Sequence, residues 1–283
     1  MSEAREIAHG DFGRVALLDM DRGLVRHAHP HCHVLLKVEG DDTQFLVGDR
    51  VVSLTDEQTV LVNAWETHAY LHDPCRDRAT ILALYIEPAW LGALRRNWTA
   101  SGAPGFFDRP VGATTPAIRG HARDLAAEMT LAPASRRIRD TLLPGLMIAV
   151  IERFAAWRET GPSPREASRR GDWRVRRAIA RVRESPCTGT DAGALARDAG
   201  LSRAHFYRLF EQTAGAPPHV FVNAVRIERA VAQIVGDGAN LADLGAGLGF
   251  SAPPHFSRFF RDHVGVAPSA FRSIVRRGAA HAP

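Results

Sequence analysis

Residues 200–271 write one pattern twice, and a repeated helix-turn-helix unit leaves few folds open to a chain of 283 residues. The first copy runs Gly200-Leu201-Ser202-Arg203-Ala204-His205-Phe206-Tyr207-Arg208-Leu209-Phe210, followed by Gly215, Pro218 and Phe221. The second runs Gly249-Phe250-Ser251-Ala252-Pro253-Pro254-His255-Phe256-Ser257-Arg258-Phe259-Phe260, followed by Gly265, Pro268 and Phe271. From His205 to Phe221 the matching positions recur 50 residues on, whereas Gly200 and Ser202 recur at 49. The second turn therefore carries one extra residue. Self-similarity at a fixed period marks one supersecondary unit used twice.

Gly200 and Gly249 stand where the chain must reverse between two helices, a place that favours a positive φ. Ser202 is placed to cap the following helix, and Ser251 is placed to do the same. Phe206 and Phe210, like Phe256 and Phe260, lie four apart and share one buried helix face. Arg203, Arg208 and Arg258 lie off that face, where a guanidinium can reach a base edge or a phosphate. Charge follows the repeat: residues 165–283 carry a net +8 and residues 1–164 a net −3. A basic half bearing two helix-turn-helix units reads as a phosphate-facing surface.

The rest of the chain reads as a different structure. Val15–Leu18, Val34–Val38, Gln44–Val47, Thr59–Val62 and Thr80–Ile86 are short apolar or alternating runs separated by Gly40-Asp41-Asp42, Gly48-Asp49 and Asp73-Pro74. Such spacing predicts a small β-barrel or double-sheet roll. A short helix is expected after Pro88, and helices from Thr115 onward with Ile118, Leu125 and Met129 on one face. Ile138, Leu142, Leu146, Val150 and Phe154 follow at near-helical spacing, and Pro144-Gly145 predicts a kink or a late start. That apolar face can pack on the barrel or on a second copy of the chain; the barrel is the simpler partner. Residues 160–171 have the composition of a linker. Seven helices are expected from Asp172 to about Arg276, the longest over roughly 217–235. No apolar run is long enough for a membrane span. The three cysteines, Cys32, Cys75 and Cys187, are widely spaced, and the polar start has no signal-peptide core. These features point to a cytoplasmic protein without disulfides or membrane attachment.

Over about residues 173–277 the sequence resembles the AraC/XylS family of bacterial transcription regulators. The resemblance rests on the Ser-x-x-x-Phe-x-Arg-x-Phe core, the Gly-x-x-Pro after each unit, Arg226-Ile227-Glu228-Arg229-Ala230, and Gly249-Phe250 with His255-Phe256-Ser257-Arg258. It implies double-stranded promoter DNA as partner, RNA polymerase as a second partner of an activator, and a homodimer. Transferred position by position, the base-facing residues are Arg203, Ala204, Tyr207 and Arg208 in the first unit and Pro253, Pro254, Ser257 and Arg258 in the second. Proline in a first helical turn offers no donor to a base. The first unit is thus expected to supply most base discrimination, and the second phosphate contacts through Arg258 and Arg261. Gly245 replaces the family's usual alanine, and glycine inside a helix costs about 1 kcal/mol.

The segment Arg26-His27-Ala28-His29-Pro30-His31-Cys32-His33 is the other unusual feature. Gly23 followed by His29-Pro30-His31 resembles the first motif of the cupin superfamily, and His68 resembles the lone histidine of its second. Glu39 arrives later than the cupin acidic ligand does. Cupins commonly form the sensor domain of this regulator family. The fold expected is α+β: a cupin-like effector-binding barrel over 1–100, a helical segment available for dimerisation over 101–158, a linker over 159–171, and an all-α DNA-binding domain of two helix-turn-helix units over 172–283. His29, His31, Trp65, His68 and Tyr85, with Tyr70 beside them, are the expected effector contacts. The same His29, His31 and His68 can hold a divalent metal. The function expected is a one-component regulator that senses a small molecule, not an enzyme. Two alternatives stay open: a metal-dependent cupin enzyme fused to a DNA-binding domain, and a regulator independent of any effector.

Overall fold

The computed structural model describes residues 3–133, 135–155, 171–187, 191–236 and 240–280. The N-terminal part folds into two antiparallel sheets. The larger holds, in order, β1 (Glu3–Gly10), β2 (Gly13–Met20), β8 (Ala79–Ile86), β3 (Cys32–Gly40), β6 (Gln58–Val62) and β9 (Val111–Ala113); the smaller holds β5 (Arg50–Leu54), β4 (Thr43–Val47) and β7 (His68–Leu71). Strand β8 is buried from end to end and divides its side chains by period two. Ile81, Ala83 and Tyr85 face the interior between the sheets, and Leu82, Leu84 and Ile86 face the helices outside. The predicted runs fall on β2, β3, β4, β6 and β8. Strand β1 reads as a polar start because it is an edge strand, paired on one side only and bulged between Ala4 and Glu6. Strands β7 and β9 are too short to show an alternation.

Helix α1 (Pro88–Leu94), a 3-10 turn (Arg96–Gly102), α2 (Pro116–Leu131) and α3 (Leu143–Phe154) lie on the outer face of the large sheet. Ile118, Leu125, Met129, Leu142, Leu146 and Val150 are buried there against Val15, Leu17, Val34, Leu36 and Leu84. The apolar face read from the sequence is spent on the chain's own barrel. Pro144 gives α3 its late start: it has no N–H for the Asp140 carbonyl, so a π-helical turn over Ile138–Leu142 precedes it and the Leu143 N–H donates to the Ile138 carbonyl.

The C-terminal part contains seven described helices, as expected: α4 (Trp173–Glu184), α5 (Ala192–Asp198), α6 (Arg203–Ala214), α7 (Pro218–Gly236), α8 (Leu241–Gly247), α9 (Pro253–Val264) and α10 (Pro268–Ala280). The linker expected at 159–171 lies, but for Gly171, outside the described residues. Helix α7 joins two trihelical units. Its Arg226 donates to the Pro186 carbonyl and its Arg229 to the carbonyls of Arg183 and Glu184, at the free carbonyl end of α4. Phe206 and Phe210 fill the first unit's core with Phe221, and Phe256 and Phe260 fill the second's with Phe271.

The two units differ at their caps. Ser202 caps α6, accepting from the His205 N–H, and the expectation for Ser251 is corrected: the cap of α9 is Ala252. The extra residue in the second turn moves Ser251 out of the capping position, and its Oγ shares a hydrogen bond with His255 Nδ1 instead. A side-chain cap has less to satisfy there, because Pro253 and Pro254 bring no N–H. Gly245 also acquires a reason. A Cβ at this position would lie 3.0 Å from Phe256 Cβ and 3.1 Å from its Cγ, so glycine lets α8 pack closely on α9. We expect Gly245→Ala to destabilise by about 1 kcal/mol, because crowding outweighs the gain in helix propensity. Thermal unfolding should then show a Tm lower by roughly 2–4 °C; a higher Tm would refute the packing argument.

Candidate functional site

The expected DNA-facing residues lie on α6 and α9, helices of equal length that begin after matching turns. Arg203, Ala204 and Arg208 are exposed on α6, and Tyr207 is half-buried with the Arg203 guanidinium 5.6 Å from its ring centroid. Pro253, Pro254 and Arg258 are exposed on α9, and Ser257 and Arg261 are half-buried. The exposed members of both sets lie on the side of their helices away from the phenylalanine cores, whereas Tyr207 packs against the first of these cores.

The second surface is the end of the barrel that meets these helices. His27, His29, His31, His33 and His68 are all buried. His27 and His68 pair through their backbones, each N–H donating to the other's carbonyl. Their ring centroids lie 4.4 Å apart, and His29 is 4.8 Å from His27 and 5.0 Å from His68. His33 stacks on Tyr85 at 4.1 Å, and the buried Arg14 guanidinium lies 4.0 Å from the centre of that ring. Ring nitrogens of His27, His29 and His68 lie within 4.8 Å of one another.

This trio differs from the expected His29, His31 and His68. Only from Cys32 is the segment strand, so the alternation of one face does not run through Pro30. His31 instead pairs through Nε2 with Glu87 at 2.9 Å, which holds the Glu87 carboxyl below its usual range. His27 takes its place in the cluster. Glu39 lies on the exposed end of β3, bonded to Arg5, and is not part of the site. Tyr85 joins the cluster, whereas Tyr70 packs on Phe45 inside the barrel. Trp65 stacks on Phe221 of α7 at 4.5 Å, so it bridges barrel and helices rather than lining a pocket. Its backbone N–H donates to the His29 carbonyl, and its φ of 64° is the one left-handed non-glycine value among the described residues.

The protonation pattern is set by local bonds. Nδ1 of His27 meets the Val25 carbonyl at 2.7 Å, Nδ1 of His33 the Leu84 carbonyl at 3.0 Å, and Nδ1 of His68 the Glu66 carbonyl at 3.0 Å. A carbonyl only accepts, so each Nδ1 carries the proton and each Nε2 presents a lone pair. Burial pushes His27 and His29 well below the usual histidine range, and His33 and His68 down to about 3, neighbouring imidazoles adding to the effect. Backbone-fixed neutral imidazoles are the form in which histidine binds metal. Both nitrogens of His29, Nδ1 of His31, Nε2 of His68, Oε1 of Glu228 and one guanidinium nitrogen of Arg14 are buried without a hydrogen-bond partner. Each such group costs about 1–3 kcal/mol unless something meets it. The residues present therefore fit a cation.

Three of the participants, His27, His33 and Glu228, were not among the site residues expected from the sequence. The first two continue the visible alternation of histidines; Glu228 lies some 200 residues away in a helix motif, with no local signal of its role.

Residues 14–147 match the family model described as AraC-like ligand binding domain, and residues 195–274 one described as helix-turn-helix domain. The chain is 32% identical over 97 residues to the HTH-type transcriptional regulator ArgR of Pseudomonas aeruginosa, covering 34% of this chain and 29% of ArgR. It is 26% identical over 101 residues to the HTH-type transcriptional regulator MtrA of Neisseria gonorrhoeae, covering 36% and 34%. The matched stretch thus spans about a third of these curated relatives. Among solved structures, an apo ToxT variant from Vibrio cholerae superposes with a TM-score of 0.57 at 11% identity, covering 95% of this chain and 99% of that one. ToxT with a bound unsaturated fatty acid gives 0.51 at 11% identity, covering 97% and 95%. These superpositions establish a shared two-part fold. No described helix is long and apolar enough to cross a membrane.

The buried histidines carry a pH consequence. In the metal-free protein, His33 and His68 titrate near 3 when folded and near 6.5 when unfolded. The unfolded chain takes up protons first, so their contribution is complete above about pH 6.5 and is lost as pH falls toward 3. Chemical denaturation after chelation should show stability falling by about 1 kcal/mol or more per histidine between pH 7.5 and 5.5. A stability unchanged over that range would contradict the burial of neutral imidazoles.

Proposed function

Because the chain belongs to the AraC/XylS family of transcriptional regulators, we propose that it is a one-component regulator: the N-terminal barrel takes a small ligand, and α6 and α9 read promoter DNA in successive stretches of major groove. One observation carries this reading. Two helices of equal length expose matched arginines, Arg208 and Arg258, and both units are packed against a barrel whose polar end leaves both nitrogens of His29 and Nε2 of His68 without hydrogen-bond partners. The chemistry of that end supports a divalent first-row cation held by His27, His29 and His68. The site shows no nucleophile with an adjacent base, so a ligand-binding role is favoured over catalysis. The protein is proposed to act in the cytoplasm, as a homodimer, with RNA polymerase as partner where it activates. Self-association through α2 would use its outer face near the exposed Leu131, since the inner face is buried on the barrel.

The two heads are proposed to work unequally. Arg203, Ala204, Tyr207 and Arg208 give α6 a base-reading set, whereas Pro253 and Pro254 leave α9 to grip phosphate through Arg258 and Arg261, with Ser257 beside them. Genome-wide mapping of bound sites, followed by binding titrations on the recovered sequences, tests the reading. Arg208→Ala should cost about 1–3 kcal/mol on the specific site and relax its sequence preference. Arg258→Ala should weaken specific and nonspecific DNA alike and reduce the salt slope by about 1. Equal loss of base preference in both variants would refute the division of labour, and salt-independent binding would refute the regulator reading.

A further inference from the structure

The histidine cluster is not confined to the barrel. Glu228 projects from α7, the helix that joins the two DNA-reading units, and its Oε1 lies 3.7 Å from His29 Nδ1 and 4.0 Å from His31 Nδ1. Neither approach is a hydrogen bond, and Oε1 is buried with no other partner. The contact is longer than the bonded His31–Glu87 pair, which closes to 2.9 Å. A neutral His29 could donate to the carboxylate, yet the separation is that of two groups facing a shared third. Ligand atoms bound at about 2.1 Å to a tetrahedral ion stand roughly 3.4 Å apart. The His29–Glu228 spacing is close to this; Glu228 stands outside the group that His27, His29 and His68 form within 4.8 Å, so its carboxylate has to swing toward that group as the rings rotate to close it.

Resting on the reading of the cluster as a cation site, we propose that Glu228 is its fourth ligand, so that one divalent first-row ion is held jointly by the sensor barrel (His27, His29, His68) and by the DNA-binding half. Three imidazoles and a carboxylate suit Zn²⁺, Co²⁺ or Ni²⁺ rather than Mg²⁺ or Ca²⁺, which prefer all-oxygen sets. The carboxylate balances part of the ion's charge in a buried place. Around the cluster the two halves are already joined: the Val25 N–H donates to the Asp262 carbonyl, Arg22 pairs with Asp262 at 3.0 Å, and the ring of His263 of α9 lies 6.2 Å from that of His27. Occupancy would therefore tie the helix between the two heads to the barrel.

The test uses the full chain, stripped with a chelator and titrated with Zn²⁺ or Co²⁺. Wild-type protein should bind one ion per chain, Co²⁺ should give an intense visible band of a four-coordinate site, and zinc-edge absorption should fit three imidazoles and one carboxylate oxygen. His68→Ala should lose the site. Glu228→Gln, a near-isosteric change, should still bind but at least 10-fold more weakly and with an altered cobalt spectrum. If wild-type protein binds no stoichiometric ion, the cation reading itself falls. If it binds with equal affinity and the same spectrum in wild type and Glu228→Gln, the cation reading stands and the role of Glu228 is overturned. If Glu228→Gln does not fold, Glu228→Asp takes its place: weaker binding with an altered cobalt spectrum supports the proposal, and affinity and spectrum equal to wild type overturn it.

Discussion

The barrel does not close on itself. Its interior, lined by Leu35, Phe45, Leu54, Val60 and Ile81, runs as one continuous apolar cluster into Ile227, Val231, Phe256, Phe260 and Phe271 of the helical half. Most of what is unusual in the molecule follows from that shared core. Burying apolar surface across the junction stabilises it at roughly 25 cal/mol per Å², but it also takes polar groups at the barrel's end out of water. Those groups are histidines, held neutral, and a carboxylate from the opposite half. Trp65 fastens the first reading unit through its stack on Phe221, and Asp262 fastens the second. The barrel and the two trihelical units are therefore mechanically continuous, with α7 as the element that touches all three.

Much of this architecture was legible in the amino-acid order. The 50-residue repeat announces two helix-turn-helix units because their phenylalanines, glycines and prolines each do a local job that any copy must repeat. The one-residue slip at Gly249 and Ser251 was visible too, though its result was not: Ser251 loses the cap that Ser202 keeps. The central strands were readable because β8 is buried on both faces and needs an unbroken apolar run. Strand β1 was not, since an edge strand can remain polar.

The candidate site was only half readable. A stretch of alternating histidines shows that something chemical is concentrated there. Which of them converge depends on where the chain bends: Pro30 and the break before β3 send His31 to Glu87 and leave His27 with His29 and His68. Glu228 and Trp65 were beyond reach for a different reason. Their roles come from docking of two halves, and a long-range contact leaves no mark on either local pattern. Trp65 was expected in a ligand pocket as an aromatic near His68; a positive φ turns it outward onto α7 instead.

A ligand bound where two parts meet changes the free energy of their arrangement, and by linkage its own affinity must change when the arrangement is used elsewhere. The most direct measurement is a reciprocal titration on the full chain: affinity for a mapped DNA site with and without saturating Zn²⁺, and affinity for Zn²⁺ with and without that DNA. The account predicts that zinc shifts DNA affinity by about 5-fold or more and that DNA shifts zinc affinity by the same factor. Stoichiometric zinc binding that leaves DNA affinity unchanged would contradict it.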